Sequence, residues 1–344
     1  MHDNILDMVS KKASDAARDA RRALIIQPGA IGDCILTLPL ADFLKTYVGI
    51  GAVDILGHTE YIAIFPGRTS VDRVRSIDAV DLHRFFVDTA QFRISDGDPL
   101  VNFFAEYEWL LTFLGEPDSP FEQNLIFTAN CSRSAAVITI PLKPPKDFAG
   151  HITDFYIQQF AAESDLDINI PETKKNRRLI ASEKSDLQTA KEILTQANID
   201  LNSKLVIIHP GSGGKHKCWP IDNYLALAEQ LRKKNHEVAF LLGPAEVERL
   251  TKSDLARIKN AAPTLTDLSL NQLCALFTHT SAFIGNDSGI THLAAAMGLK
   301  TVAIFITTDP CLYRPLGPHV NTFTASEPDS SAGIQPDIIA LFAD

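Results

Sequence analysis

The chain has 344 residues, of which 45% are hydrophobic and 22% charged. That composition is globular, and the length fits two α/β domains of roughly 150 residues each. The formal net charge of −10 argues against a nucleic-acid partner, which calls for a basic excess. A local basic pocket for a phosphorylated ligand remains compatible with it. The five cysteines, Cys34, Cys131, Cys218, Cys274 and Cys311, show no metal-ligand spacing and predict a reduced, cytoplasmic protein with no metal site. No apolar run reaches the roughly 18 residues of a transmembrane helix. Residues 1–22, MHDNILDMVSKKASDAARDARR, lack the apolar centre of a signal peptide. They read as a solvated arm or as a weak membrane-surface helix.

The first strand is expected at Ala23–Gln27 (ALIIQ), followed by a glycine turn and an apolar helix over about 34–47. Ala52–Leu56 reads as the next strand. From Pro99 to Leu114, apolar residues recur at three- and four-residue steps, which predicts an amphipathic helix. Leu125–Phe127 and Ala136–Ile140 read as short strands. Strands alternating with helices argue for βαβ units and parallel sheet. Residues 23–165 are thus a first domain, and the polar stretch 166–184, with Pro171 and the basic run KKNRR, is the linker.

A second α/β series fills 185–344. Strands are expected at Leu205–His209, Val238–Leu242, Ala282–Gly285 and Thr301–Phe305. Helices are expected over Pro220–Asn235, Ala245–Asn260, Asn271–His279 and Ile290–Met297, with a terminal one at Asp337–Phe342. The repetition is of domains; no short-period repeat is present.

Three strand-to-helix turns carry the chemistry. The first is Gln27-Pro28-Gly29-Ala30-Ile31-Gly32-Asp33. Strand, glycine turn and helix form a phosphate-binding layout, because free N–H groups at a helix start face an anion. Here a carboxylate, Asp33, stands at the helix start and competes with phosphate for those groups. Asp33 is better suited to accept a proton; its plainer role is to cap the helix.

The second turn, His209-Pro210-Gly211-Ser212-Gly213-Gly214-Lys215-His216-Lys217-Cys218-Trp219-Pro220, combines small residues with cations. Ser212 and Gly213 allow close backbone approach. Lys215 and Lys217 suit a diphosphate whose charge grows as its bond to a sugar breaks. A flexible loop with solvated lysines is the alternative.

The third turn is Gly285-Asn286-Asp287-Ser288-Gly289-Ile290-Thr291-His292. N–H groups near Ser288 and Gly289 could bind phosphate with help from the helix dipole. Asp287 could cap the helix, and His292 either faces a ligand or fills a polar core niche. Ligands of doubly wound sheets bind at the carboxyl ends of strands. Two anion sites in the second domain and a base in the first therefore predict a cleft between two facing domains.

Together the three motifs resemble the heptosyltransferases, glycosyltransferase family 9, over roughly residues 22–325 and in the family's order. PGAIGDCILTLP resembles the family's amino-terminal Gly-Asp motif. HPGSGGKHKCWP resembles its Lys-x-Trp-Pro loop, and GNDSGITHLAAAMG its Asp-Ser/Thr-Gly-x-x-His helix start. The resemblance implies a GT-B fold of two Rossmann-like domains and inverting sugar transfer from a nucleotide diphosphate, usually ADP-heptose. The acceptor would be a lipopolysaccharide core or another glycan or glycolipid, with neither metal nor cofactor required.

By position, Asp33 would be the general base, and Lys217 would meet the leaving diphosphate. Ser212, Gly213, Lys215, Asp287, Ser288, Gly289 and His292 would line the donor site. Glu246, in Gly243-Pro244-Ala245-Glu246, resembles the family's ribose-binding acid. The resemblance further implies a cytoplasmic bacterial enzyme and leaves room for peripheral contact with the inner membrane.

The chain departs from the family at Ile306-Thr307-Thr308, where many members have Gly-Pro-Thr, and in the unmatched stretch Phe85–Pro99. The rival readings are a GT-B transferase with another nucleotide sugar, a nucleotide-sugar epimerase and a non-catalytic nucleotide-sugar-binding relative. A dinucleotide oxidoreductase is disfavoured, since no Gly-x-Gly-x-x-Gly stands here.

Overall fold

The computed structural model describes residues 21–325 and 334–342, apart from 133, 171, 173 and 174. Residues 1–20 of the expected arm, and Pro171 and Lys174 of the expected linker, lie outside the described residues. The chain divides into two units, 1–173 and 174–344. Each builds its own parallel sheet.

In the first unit the elements are β1 Arg22–Ile26, α1 Ile31–Phe43, β2 Ala52–Gly57, α2 Thr59–Ile62, β3 Arg73–Ser76, α3 Pro99–Phe104, β4 Trp109–Thr112, α4 Pro120–Asn130, β5 Ala136–Thr139 and α5 Ile152–Glu163. The strands lie in the order β3-β2-β1-β4-β5, every pair parallel. Strand order reverses between β1 and β4, where a doubly wound sheet opens a crevice at its carboxyl edge.

The second unit contains α6 Asp186–Gln196, β6 Leu205–His209, α7 Ile221–Lys233, β7 Glu237–Leu242, α8 Pro244–Arg249, α9 Lys252–Ala261, β8 Thr264–Thr266, α10 Leu270–Phe277, β9 Ala282–Asn286, α11 Gly289–Ala296, β10 Lys300–Phe305, α12 Pro310–Tyr313, β11 Val320–Thr324 and α13 Gln335–Ala340. Its order is β11-β10-β9-β6-β7-β8, again all parallel. The reversal falls between β6 and β9.

The central strands explain the apolar runs. β1 reads Arg-Ala-Leu-Ile-Ile and β6 Leu-Val-Ile-Ile-His, with nearly every residue buried. Both faces of a parallel sheet are covered by helices, so such strands do not alternate. In the first unit Leu24, Ile26, Phe85, Phe104, Leu110 and Phe121 share one core. Within that unit Asp54, fully buried on β2, accepts from Arg22 Nη2 at 2.6 and 2.7 Å and from the Tyr107 hydroxyl at 3.0 Å. A buried carboxylate persists only when paired in this way. Burial, together with the Asp54 charge, pushes the Tyr107 hydroxyl upward.

Three expectations are corrected. The helix expected over 99–114 is two elements, α3 and β4. All four residues of β4 are buried beside β1, and a short, wholly buried run has no periodicity to separate strand from helix. The strand expected at 125–127 lies inside α4. Ser119 caps that helix by accepting from Glu122 N, and Pro120 opens it, where a missing N–H costs nothing. The helix expected over 245–260 breaks into α8 and α9, because the Thr251 side chain caps a new start by accepting from Asp254 N. The edge strands β3, β8 and β11 are additional to the expected set. They are short and partly exposed, so they leave a weak apolar signature.

Candidate functional site

In the first unit the turn after β1 is built around buried polar contacts. Gln27 is fully buried; its Oε1 accepts from Gly29 N at 2.9 Å and its Nε2 donates to Thr37 Oγ1 at 2.9 Å. Asp33, the third residue of α1, is exposed. Its Oδ2 accepts from Ala30 N at 3.1 Å, so a free N–H of the helix start aims the carboxylate. A Cβ on Gly29 would stand 2.7 Å from Asp33 Cβ and 2.8 Å from its Oδ2. Glycine is required there for close approach.

In the second unit the loop after β6 and the turn after β9 meet at the strand-order reversal. Asn286, at the end of β9 and fully buried, is their hub. Its Oδ1 accepts from Trp219 N and the Tyr224 hydroxyl, both at 2.8 Å. Its Nδ2 donates to Pro210 O at 2.8 Å and Gly211 O at 3.2 Å. Ser212 adds a bond from its hydroxyl to Asp287 O at 2.7 Å. Trp219 is buried edge-on against Tyr224, with ring centroids 5.1 Å apart. The glycine loop is thus fastened to the sheet at both ends.

Asp287 does not cap α11; Ser288 does, its side chain accepting from Thr291 N. That frees the Asp287 carboxylate for side chains. Oδ2 accepts from the Thr308 hydroxyl at 2.6 Å and from Lys217 Nζ at 3.3 Å. Oδ1 lies 3.5 Å from His292 Nε2. Burial pushes the Asp287 carboxyl upward, but its contacts with His292, Thr308 and Lys217 outweigh that and hold it at about 2. The group is therefore a fixed anion at neutral pH. His292 is buried beside it and has an unpartnered Nδ1.

A cavity of about 400 Å³ opens beside this cluster, lined by Gly211, Ser212, Lys215, Trp219, Glu246 and Arg249 among others. Glu246 turns one carboxylate oxygen to Gly243 N at 2.9 Å. The other lies against Gly211, where an added Cβ would fall 2.1 Å from it. Arg249 Nη1 donates to Ser212 O at 3.1 Å, which braces the loop from outside. A second pocket of about 620 Å³, with Arg178, Lys184 and His319 in its wall, is lined by none of the candidate site residues.

The cluster therefore joins Ser212, Lys217, Glu246, Asp287, Ser288 and His292 in one region. Lys215 lines the cavity from an exposed position. Gly213 is exposed, and an added Cβ there meets nothing within 4 Å. Gly289 opens α11. Asn286, Arg249 and Tyr224 are contributors that the motifs did not single out. Asn286 alone had a signal, as a polar residue closing an apolar strand run.

The family model of glycosyltransferase family 9 (heptosyltransferase) matches residues 139–335. The chain belongs to this family. Among curated relatives, the lipopolysaccharide heptosyltransferase 3 of Escherichia coli is 22% identical over 324 residues, covering 86% of each chain. Among solved structures, the E. coli ADP-heptose lipopolysaccharide heptosyltransferase II aligns with a TM-score of 0.64 at 16% identity, over 93% of this chain and 98% of that one. The E. coli heptosyltransferase WaaC, solved with ADP, aligns with a TM-score of 0.60 at 19% identity, over 93% and 98%. This family-9 glycosyltransferase has the GT-B fold, with two Rossmann-like units. Among its described residues no group of three or more His, Cys, Asp or Glu is placed to hold a metal ion. No helix among them is long and apolar enough to cross a membrane.

Proposed function

We propose that the protein transfers heptose from ADP-heptose to a sugar of a lipopolysaccharide core, with inversion at the anomeric carbon and without a metal ion. The observation that carries this reading is the Lys217–Asp287 pair at the β6/β9 reversal, beside a cavity that Glu246 walls. A cation, a capped helix start and a carboxylate facing a nucleoside-sized cavity are the parts a nucleotide-diphosphate sugar needs.

In the proposed reaction the acceptor hydroxyl attacks the anomeric carbon from the face opposite the diphosphate. Its proton passes to Asp33, and the bond from carbon to diphosphate oxygen breaks with ADP as leaving group. Lys217 and the N–H groups near Ser288 and Gly289 offset the charge that grows on the diphosphate, which is the part a metal ion plays elsewhere. Glu246 accepts from the ribose hydroxyls. Ser212, Gly213 and Lys215 close around the phosphates, and His292 keeps Asp287 in place. The first unit receives the acceptor at the cytoplasmic face of the membrane. Its exposed Phe86 and Phe127 supply an apolar surface there.

One observation favours a second reading, in which the same chemistry uses another nucleotide sugar or acceptor. Residues 1–173 hold 14 Lys and Arg against 25 Asp and Glu, which disfavours a strongly anionic acceptor. The test is thermal stabilisation by ADP, UDP, GDP and CDP, each with magnesium or with a chelator. Selective stabilisation by ADP, equal in both conditions, is expected. A preference for UDP or GDP would overturn the ADP-heptose reading, and a requirement for magnesium would overturn metal independence.

A further inference from the structure

We infer that Thr308 is a positioning residue for the transfer reaction: its hydroxyl holds the Asp287 carboxylate back from Lys217, leaving the ammonium directed at the donor diphosphate. This rests on the assignment of Lys217 to the leaving group.

Parallel pairing brings the two turns together. Ile304 on β10 is in register with Asn286 on β9, and Asp287 N donates to Ile304 O at 2.9 Å. The chain then leaves the sheet through 306–309 and is caught again by Asp309, whose side chain caps α12 by accepting from Cys311 N at 2.8 Å. A turn held at both ends has little freedom, and it sets the Thr308 hydroxyl 2.6 Å from Asp287 Oδ2.

The same oxygen receives Lys217 Nζ at 3.3 Å. That is longer than the roughly 2.7–2.9 Å of a close ammonium–carboxylate contact. The nearer donor is therefore the neutral hydroxyl. The other oxygen faces His292, so the plane of the carboxylate is fixed from two sides. Lys217 sits on a flexible four-carbon stem, and its side chain keeps 31% of its surface exposed. Without the hydroxyl, Asp287 can turn fully onto the ammonium and draw it away from the ligand.

This gives a function to the one position of the Gly-Pro-Thr triplet that the chain keeps. Ile306 and Thr307 replace the first two residues of that triplet, whereas the hydroxyl at the third remains. Asp287 and Lys217 each lie beside other groups, so the test must separate positioning from packing.

The experiment compares Thr308→Val, Thr308→Ser, Lys217→Ala and the Thr308→Val/Lys217→Ala double variant. Turnover is read as heptose transfer from ADP-heptose to deacylated lipopolysaccharide core, and ADP affinity by calorimetry. Valine keeps the shape and loses the hydroxyl, so kcat should fall about tenfold, as expected for one hydrogen bond to a charged group. KM for ADP-heptose should stay within about threefold, whereas ADP affinity should fall along with kcat, because ADP already carries the charge that the leaving group develops. Thr308→Ser should restore kcat to within about twofold, since it restores the same hydrogen bond. In the Lys217→Ala background Thr308→Val should cost nothing further, because the two act as one unit. Full turnover in Thr308→Val, an equal loss in Thr308→Ser, or additive losses in the double variant would overturn this inference alone. Full turnover in Lys217→Ala, or a wild type inert with ADP-heptose, would overturn the functional reading and this inference with it.

Discussion

Asp33 and Asp287 occupy comparable places in two versions of one architecture. Each follows a strand that borders the reversal of order in its own parallel sheet, and each stands at the start of a helix. Their burial differs. Asp33 is exposed, and a backbone N–H at 3.1 Å aims its carboxylate. Asp287 is buried and surrounded by a lysine, a threonine and a histidine. A carboxylate that is to take up a proton gains nothing from cations that hold it ionised. A carboxylate that is to hold a lysine in place must never take one up. On the proposed roles, the same side chain at similar turns would serve two different tasks, with its neighbours rather than the motif deciding which.

Asp33→Asn should separate the two carboxylates by the largest margin. Asparagine still accepts from Ala30 N, so the helix start is kept. It cannot accept the acceptor's proton, and kcat should fall by about 10³-fold, within the range for general-base catalysis. ADP affinity should be unchanged, because the proposed donor cluster lies in the second unit. An equal loss of ADP binding and turnover would sink the base assignment.

A second variant asks whether Asp33 must also be aimed. An alanine Cβ at Gly29 would meet Asp33 Cβ at 2.7 Å and Gln27 Oε1 at 2.9 Å, so the carboxylate must shift. Displacing a reacting group by about 1 Å can cost about 10²-fold. Gly29→Ala should lose up to that factor in kcat, with ADP affinity intact by calorimetry. Full turnover would show that the placement of Asp33 is immaterial to the reaction.

Much of both turns is legible in the sequence. Both aspartates stood out as residues in strand-turn-helix runs, as did Lys217 between glycines and Trp219. Their local geometry was readable because strand and helix starts have strong signals. The contacts that join them to distant residues were not. Thr308 lies 21 residues beyond Asp287, and Asn286 ties segments as far as 76 residues apart. Such contacts follow from sheet order, which no local pattern encodes. The two misassigned apolar runs, β4 and the middle of α4, failed for a related reason. In β4 burial of every residue leaves no periodicity, and in α4 the exposed Ile126 and Phe127 are as apolar as the buried Leu125, so neither run marks its faces.

The smallest expected effect sharpens the Asp287 side of the comparison. Its carboxyl is held at about 2 in the folded chain, below the ordinary value of about 3.9 for an unfolded aspartate. A depressed folded value means that the stabilisation is fully present above the unfolded value and is lost as pH falls through the folded one. The window is therefore about pH 4 down to about pH 2, and the full contribution is about 2 kcal/mol. Lys217 and His292 are the charged or titratable partners the carboxylate faces directly, with Thr308 as the neutral donor. Asp287→Asn removes the titration and keeps the shape. The difference in urea unfolding free energy between wild type and Asp287→Asn should therefore shrink by about 1 kcal/mol between pH 6 and pH 3. A difference that stays flat would mean that these three contacts do no more than offset burial, and Asp287 would then lose its claim to be a fixed anion beside Lys217.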